Sequence, residues 1–347
     1  MKKTILYLIL ISCLAVSGYS QADLQPAAIV NLTKNEPITV RQLRTEVERV
    51  EKARGRALTK EERLQLLDVM INEKLAIQAA EKEKITINEN EVNNQMQQLR
   101  ATLAQQIGRQ PTDAEFNQAV KTESGMELPA FREQMRKQMI VQKYLLAKKE
   151  PMLKSVKEPT DAEILDQYNL AKAQFVRPET VRFSMIQVPY GPDAASRAKA
   201  RDLANALLKE IGSNPSKFDE VVTKSFAPNS GYMAGDGGFL PRNHEAQSVV
   251  GQDFINTAFS LKQGEVSKLI EGNPGYQIIK ITENYSMKTL ELDDIIQPGS
   301  NVRVRDYIRQ AMLNERQQTV LAKASEELIA DLRKGNPFRV YENNLNW

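Results

Sequence analysis

The sequence is poor in the residues that most enzymes depend on. Its 347 residues include one cysteine, Cys13, and one histidine, His244. Cys13 falls in the first apolar stretch, so the rest of the chain has no thiol for a disulfide, a nucleophile or a thiolate metal site. A single imidazole is too little for a histidine metal site or a Ser-His-Asp triad, and His244, between Asn243 and Glu245, reads as a loop residue. No glycine-rich phosphate cradle is present to hold a nucleotide. Neither sign of charge dominates: 47 Lys and Arg stand against 44 Asp and Glu, a net +3. The two signs are mixed along the chain, without the clustered basic stripe that releases counterions from nucleic acid. The expectation is a protein without metal, cofactor, nucleotide or nucleic-acid partner.

What is present starts with Lys2 and Lys3, an apolar run from Ile5 to Val16 and small residues near Ser20 and Ala22, the three-part pattern of a secretory signal peptide over residues 1–22. The run is shorter than the roughly 20 residues of a spanning helix, and no later segment is more apolar. Export to the periplasm is expected. A loose lipobox, Leu10-Ile11-Ser12-Cys13, offers a lipidated alternative and leaves membrane-surface association open, although the apolar stretch continuing past Cys13 argues against it. Folding is expected to begin near Asp23, with length enough for two or three domains.

Residues 23–177 read as successive amphipathic helices after a short strand-like Ala27–Leu32. Leu43, Val47 and Val50 form one stripe; Leu64, Leu67, Ile71 and Leu75 a second; Val92, Met96, Leu99 and Leu103 a third; Phe131, Met135 and Met139 a fourth. These are helical spacings, not alternations. Thr39, Thr59, Thr112 and Thr160, each with Gln or Glu three residues on, match the capping box, in which the threonine oxygen satisfies an orphan backbone N–H. Pro151, Pro159 and Pro178 punctuate the approach to a region richer in Gly, Pro and aromatic residues, and a boundary is expected near Pro178.

Residues 178–286 read as strand (Val181–Val188), helix (Ala194–Ile211), glycine-rich loop, helix and strand (Tyr276–Ile281). Residues 287–347 hold a Pro298-Gly299-Ser300 break and then one long helical pattern from Val302 to Arg333, about 48 Å if unbroken. Val304, Ile308 and Ala311 form one of its stripes; Val320, Ala324, Leu328 and Leu332 form another. Such a helix cannot bury a stripe on itself, so the two chain ends are expected to make one helical domain, with Phe338–Tyr341 pairing against Ala27–Leu32. The fold class is α+β: a mainly helical domain from both ends plus an inserted domain with a small antiparallel sheet surrounded by helices.

The inserted region resembles the parvulin family of peptidyl-prolyl isomerases. Val181-Arg182-Phe183-Ser184-Met185-Ile186-Gln187-Val188 is similar to the first parvulin strand, V-R-x-S-H-I-L-V. The stretch from Phe218 through Ser225, Ala227 and Pro228 to Ser230 resembles F-x-x-L-A-x-x-x-S-x-D-P-x-S. Gly235-Asp236-Gly237-Gly238-Phe239 resembles G-D-L-G-W/F; Phe254 to Ser267 follows the family's helix and turn; Gly275-Tyr276-Gln277-Ile278-Ile279 resembles G-Y-H-I-I. In this order and spacing the set is specific. With the leader and the helical ends, the whole chain is similar to the SurA and PrsA group of exported folding factors.

The resemblance implies a rotamase site, and this chain departs from it. Turning an X-Pro bond means crossing a barrier of about 18–20 kcal/mol. In the family, two histidines and an Asp or Cys make a polar network around the bond while apolar side chains grip the proline ring. Here Met185 and Gln277 stand at the histidine positions, Ala227 at the acid or thiol position, and Gly237 in place of a proline-contacting Leu; Phe254 matches the aromatic wall. Positioned polar groups contribute about 10²–10⁴-fold in rate, so no catalytic residue is expected. Met185, Phe239, Leu240, Phe254 and Gln277 are the expected substrate-contacting residues, with methionine suiting a promiscuous apolar groove. The implied function is an ATP-independent chaperone holding unfolded envelope or outer-membrane proteins in an apolar crevice between the domains. The alternatives are an active parvulin-type isomerase with an altered site and a structural envelope protein that uses the fold for docking.

Overall fold

The structure, a computed structural model, describes residues 21–347 except Pro274. The expected leader and Cys13 lie outside the described residues. The chain forms two compact units, one from the described residues up to Val156 together with Arg316–Trp347, the other from Lys157–Glu315.

The first unit opens with antiparallel strands β1 (Pro26–Val30) and β2 (Glu36–Thr39). Helices α1 (Val40–Arg54), α2 (Lys60–Lys82), α3 (Glu89–Ile107), α4 (Asp113–Ser124) and α5 (Leu128–Leu153) follow. The capping boxes read at Thr39, Thr59 and Thr112 all form, and Asn88 with Glu91 makes another at α3. Two of these starts are reinforced identically: Arg56 and Arg109, each just after a helix-ending glycine, bond Glu62 and Glu115 and hold their carboxyls at about 2. In α5, Pro151 lacks an N–H and crowds the preceding turn, and the helix is interrupted at Lys149 (φ −114°, ψ 17°).

The apolar stripes meet as expected. Leu43 and Val47 of α1, Leu67, Ile71 and Leu75 of α2, and Tyr144 and Leu145 of α5 share one core with the small sheet. Val92 and Met96 of α3, Phe116 and Val120 of α4, and Met135 of α5 make a second. The fully buried Gln78 amide accepts from the N–H groups of Leu32 and Thr33 and donates to the Lys34 carbonyl and the Glu36 carboxylate. It thereby fixes the β1–β2 connection on α2 without leaving a polar atom unpaired.

The second unit contains α6 (Asp161–Ala171), β3 (Val176–Arg177), β4 (Thr180–Pro189), α7 (Ala194–Ile211), α8 (Pro215–Lys224), β5 (Met233–Pro241), α9 (His244–Val250), α10 (Gln252–Ser260), β6 (Ile270–Glu271), β7 (Gly275–Tyr285) and β8 (Lys288–Thr289). The Thr160 capping box starts α6. Four strands form an antiparallel sheet in the order β5-β4-β7-β6, while β3 and β8 pair separately. One sheet face packs Ile186, Val188, Tyr276 and Ile278 on α7 and α8. The other packs Val181, Phe183, Ile279 and Ile281 on α10. The unit begins before Pro178 because Ile164 and Tyr168 of α6 bury against Leu290, Val304 and Ile308. The glycine-rich segment expected as a loop is strand β5: pairing with β4 along Met233–Pro241 overrides its weak strand propensity, and the extra residue is absorbed in a bulge opposite Phe183 and Ser184.

Helix α11 (Val304–Leu332) carries the two stripes expected of it. Val304 and Ile308, with Met312 instead of the exposed Ala311, serve the second unit's core. Ala324, Leu328 and Leu332 serve the first, whereas Val320, expected in the same stripe, is half-buried and outside that core. Strand β9 (Phe338–Val340) then joins the first sheet, with Ala28 opposite Val340 and Val30 opposite Phe338, which is the expected closing pair.

Candidate functional site

Directly opposed residues on neighbouring strands share a face. Gln187 of β4 lies opposite Met233 of β5 and Gln277 of β7, and Gln277 lies opposite Ile270 of β6. The adjacent row is Gly235, Met185 and Ile279. Register therefore brings Met185 and Gln277 to one face, where the family places its imidazoles, and none of the seven residues in these rows titrates. Gln277 is 7 % exposed and its Oε1 has no hydrogen-bond partner. A buried amide oxygen left in this way gains nothing from the polar network that would stabilise a rotating peptide bond.

Ala227 lies in the exposed turn after α8, beside Phe226, which is 79 % exposed. Its methyl supplies neither acid nor thiol. His244 is the exposed first residue of α9, capped from Asn243, so it stands on a helix end and not on either strand that carries Met185 or Gln277.

The expected apolar walls are present but covered. Phe254 and Leu240 are 3 % and 5 % exposed. The ring of Phe183 meets Phe254 edge-on, centroids 5.4 Å apart. The same ring lies against Gly237: a Cβ there would come within 2.2 Å of it, so no larger residue fits at 237 while Phe183 keeps its place. Phe183 falls at an unrestricted position of the strand pattern, so only Gly237 stands out in the sequence as a departure at this contact.

Phe239 is not brought to this face. Side chains alternate along β5, and since Leu240 points to the α10 side, Phe239 points away from it. There it contacts Tyr285, lies under the Arg182 guanidinium at 5.2 Å, and packs on Gly299 of the Pro298-Gly299-Ser300 break. Arg182 also bonds Asp236 at 2.7 Å and Glu283 at 2.9 Å. Arg182 holds the Asp236 carboxyl below its usual range, and the Tyr285 hydroxyl with Arg182 does the same for Glu283. This charged cluster is structural and faces away from Met185 and Gln277.

A second candidate lies wholly within the helical unit. A cavity of about 630 Å³ runs between α1, α2 and α5, and a neighbouring one of about 700 Å³ continues it toward α4. Thr45, Glu46, Arg49, Glu133, Gln134 and Lys137 line both. Leu66, Val69, Met70, Ile77 and Ile140 give the first cavity its apolar surface, and Val69 is 59 % exposed. Charges on the rim pair among themselves, Arg49 with Glu46 at 2.6 Å and Lys74 with Glu36 at 4.0 Å. The result is a cleft of mixed character, in which an apolar strip is set among charged and polar side chains of both signs. Sequence periodicity did not find it, because three helices contribute and each lends residues flanking its main stripe.

Among the described residues, no group of three or more His, Cys, Asp or Glu could hold a metal ion, and no helix is long and apolar enough to cross a membrane.

Comparison with known proteins agrees with these two units. The family model for the PPIC-type PPIASE domain matches residues 159–297, which defines the second unit as a parvulin-type rotamase fold. That for the SurA-like N-terminal domain matches residues 1–145. The chain thus joins a SurA-like N-terminal domain to a PPIC-type PPIase domain, and in this make-up it is SurA/PrsA-like. It is 24% identical over 296 residues to the Foldase protein PrsA of Clostridium botulinum strain Hall, covering 84% of this chain and 77% of the relative. To that of Clostridium kluyveri it is 25% identical over 273 residues, covering 77% and 72%. Among solved structures, a SurA-like chaperone from the PEB4 and Cj1289 study of Campylobacter jejuni matches with a TM-score of 0.40 and 16% identity, over 91% of this chain and 100% of that one. PrsA from Bacillus subtilis matches with a TM-score of 0.28 and 19% identity, over 88% and 93%.

Proposed function

We propose that this protein is an extracytoplasmic, ATP-independent chaperone that holds unfolded envelope or outer-membrane polypeptides, and that its parvulin-type domain is catalytically degenerate. The observation that carries the proposal is the pairing of an open cleft in the helical unit, which carries the apolar strip Leu66, Val69, Met70, Ile77 and Ile140 among polar side chains, with a rotamase domain whose three family polar positions are Met185, Ala227 and Gln277. A rotamase lowers its barrier with positioned polar groups; in the two rows of this face the polar side chains are the amides of Gln187 and Gln277, and no acid, thiol or imidazole is among them. The cleft offers contact area and adaptable side chains, Met70 and Met126 among them, which tolerate many client sequences. Holding then needs no nucleotide cycle: clients leave as they fold and bury the segments the cleft covered.

The test is suppression of aggregation of a chemically denatured outer-membrane protein by the purified chain. Suppression at stoichiometric ratio is expected, and Val69→Glu, which puts a charge in the cleft, should weaken it. A flat response at stoichiometric excess would remove the holding function and favour a structural role in the envelope.

A further inference from the structure

The rotamase face differs from its family not only in lost polar groups but also in what fills the space beside them. Three observations bear on one spot. Gly237 replaces a larger wall residue, and the volume its side chain would take is occupied by the Phe183 ring. That ring lies edge-on to Phe254, the aromatic wall that a proline would contact. Phe183, Phe254 and Leu240 are only 6 %, 3 % and 5 % exposed, so the walls spend their surface on one another and on α10. By contrast, nothing lies within 4 Å of a Cβ placed on Gly235, and neighbouring Met185 is only partly buried. The face is filled where a pyrrolidine would stack and open one row away.

We propose that Phe183 is a specificity-determining residue that excludes the proline ring from this domain, so that whatever polypeptide the sheet face meets is met without preference for proline. The proposal builds on the degenerate-rotamase reading and adds a steric cause to the loss of polar groups. Contact between protein and a proline requires removing apolar surface of both from water; a wall already buried by Phe183 has almost none left to contribute. A close-packed ring leaves only by a rearrangement that opens a cavity, which is itself unfavourable.

The experiment uses the full chain with methyl-labelled methionine and two probes, the tetrapeptides Ala-Ala-Pro-Phe and Ala-Ala-Ala-Phe, titrated while the Met185 methyl resonance is followed. The native chain should show equal and weak responses to both. Phe183→Ala should bind the prolyl peptide about tenfold more tightly than the alanyl one, the factor expected for burying a small apolar ring in the vacated volume. Where Phe183→Ala fails to fold by circular dichroism, Phe183→Leu takes its place, with a smaller gain of the same sign. A native chain that already prefers the prolyl peptide, with the preference reduced on replacing Phe183, would overturn the proposal, and so would a folded variant with no gain. Aggregation suppression measured on the same preparations separates the two ideas: its loss would sink the holding function while leaving the peptide result to judge Phe183 by itself.

Discussion

The helical unit and the sheet unit answer the same need, burying apolar stripes, in opposite ways. In the sheet unit, strands and helices close on each other until Phe183, Leu240 and Phe254 are almost wholly covered and the rows nearest the expected chemistry hold no titrating group. In the helical unit, α1, α2 and α5 share a core yet leave an elongated cleft with Val69 half in solvent. The rotamase fold is thus closed at its expected apolar walls, while the helical unit carries the larger cavities, about 630 and 700 Å³ against about 210 Å³ in the sheet unit. Family membership fixes the scaffold, while function must be read from the surface that remains available.

The largest effects should come from the cores. Leu75→Ala in α2 and Ile278→Ala in β7, both almost fully buried, should each cost about 2–5 kcal/mol. If the units are thermodynamically distinct, denaturant unfolding followed by separate probes in each will show each substitution moving its own unit's transition; equal movement of both would erase the distinction. Next in size is the cleft: Val69→Glu should weaken client holding about tenfold by light scattering, since a charge there forfeits apolar contact, whereas an unchanged value would place the holding surface elsewhere. Smaller again is the effect of removing residues 179–285. Arg177 of β3 lies opposite Lys288 of β8, so the cut ends are already neighbours, and holding should stay within about twofold of the full chain; collapse of holding in a folded deletion would transfer the role to the sheet unit.

The smallest expected effect is electrostatic. Arg56 and Arg109 hold Glu62 and Glu115 at about 2, against an ordinary 4.5. Because the folded value is depressed, the support these carboxylates give α2 and α4 is full above the ordinary value and is lost as pH falls toward 2. In Glu62→Gln combined with Glu115→Gln, helical ellipticity should depend less on pH between about 5 and 2 than in the native chain. An identical acid titration would deny these helix starts any role.

The sequence disclosed the features governed by local chemistry. Capping boxes at Thr39, Thr59, Thr112 and Thr160 are side-chain to backbone bonds three residues apart, and all four form. The two stripes of α11 were equally plain, since 3.6-residue periodicity survives whichever partner covers it. Strand β5 was hidden because glycine and aspartate oppose strands in isolation and only pairing with β4 reveals it. Phe239 was misplaced for a related reason: adjacent Phe239 and Leu240 cannot face the same side of one strand, and which one faces α10 depends on a register that no local motif sets. The Phe183 and Gly237 exchange and the helical cleft both depend on residues far apart in the chain, so spacing alone could not report them.

The most direct measurement is the rate of prolyl isomerisation of Ala-Ala-Pro-Phe in a protease-coupled assay with the full chain, repeated with Met185→Ala and Gln277→Ala. The uncatalysed rate is expected in all three, alongside intact suppression of client aggregation. Acceleration by the native chain that disappears when Gln277 is replaced would contradict it, by showing that this face turns proline bonds with an amide in place of an imidazole.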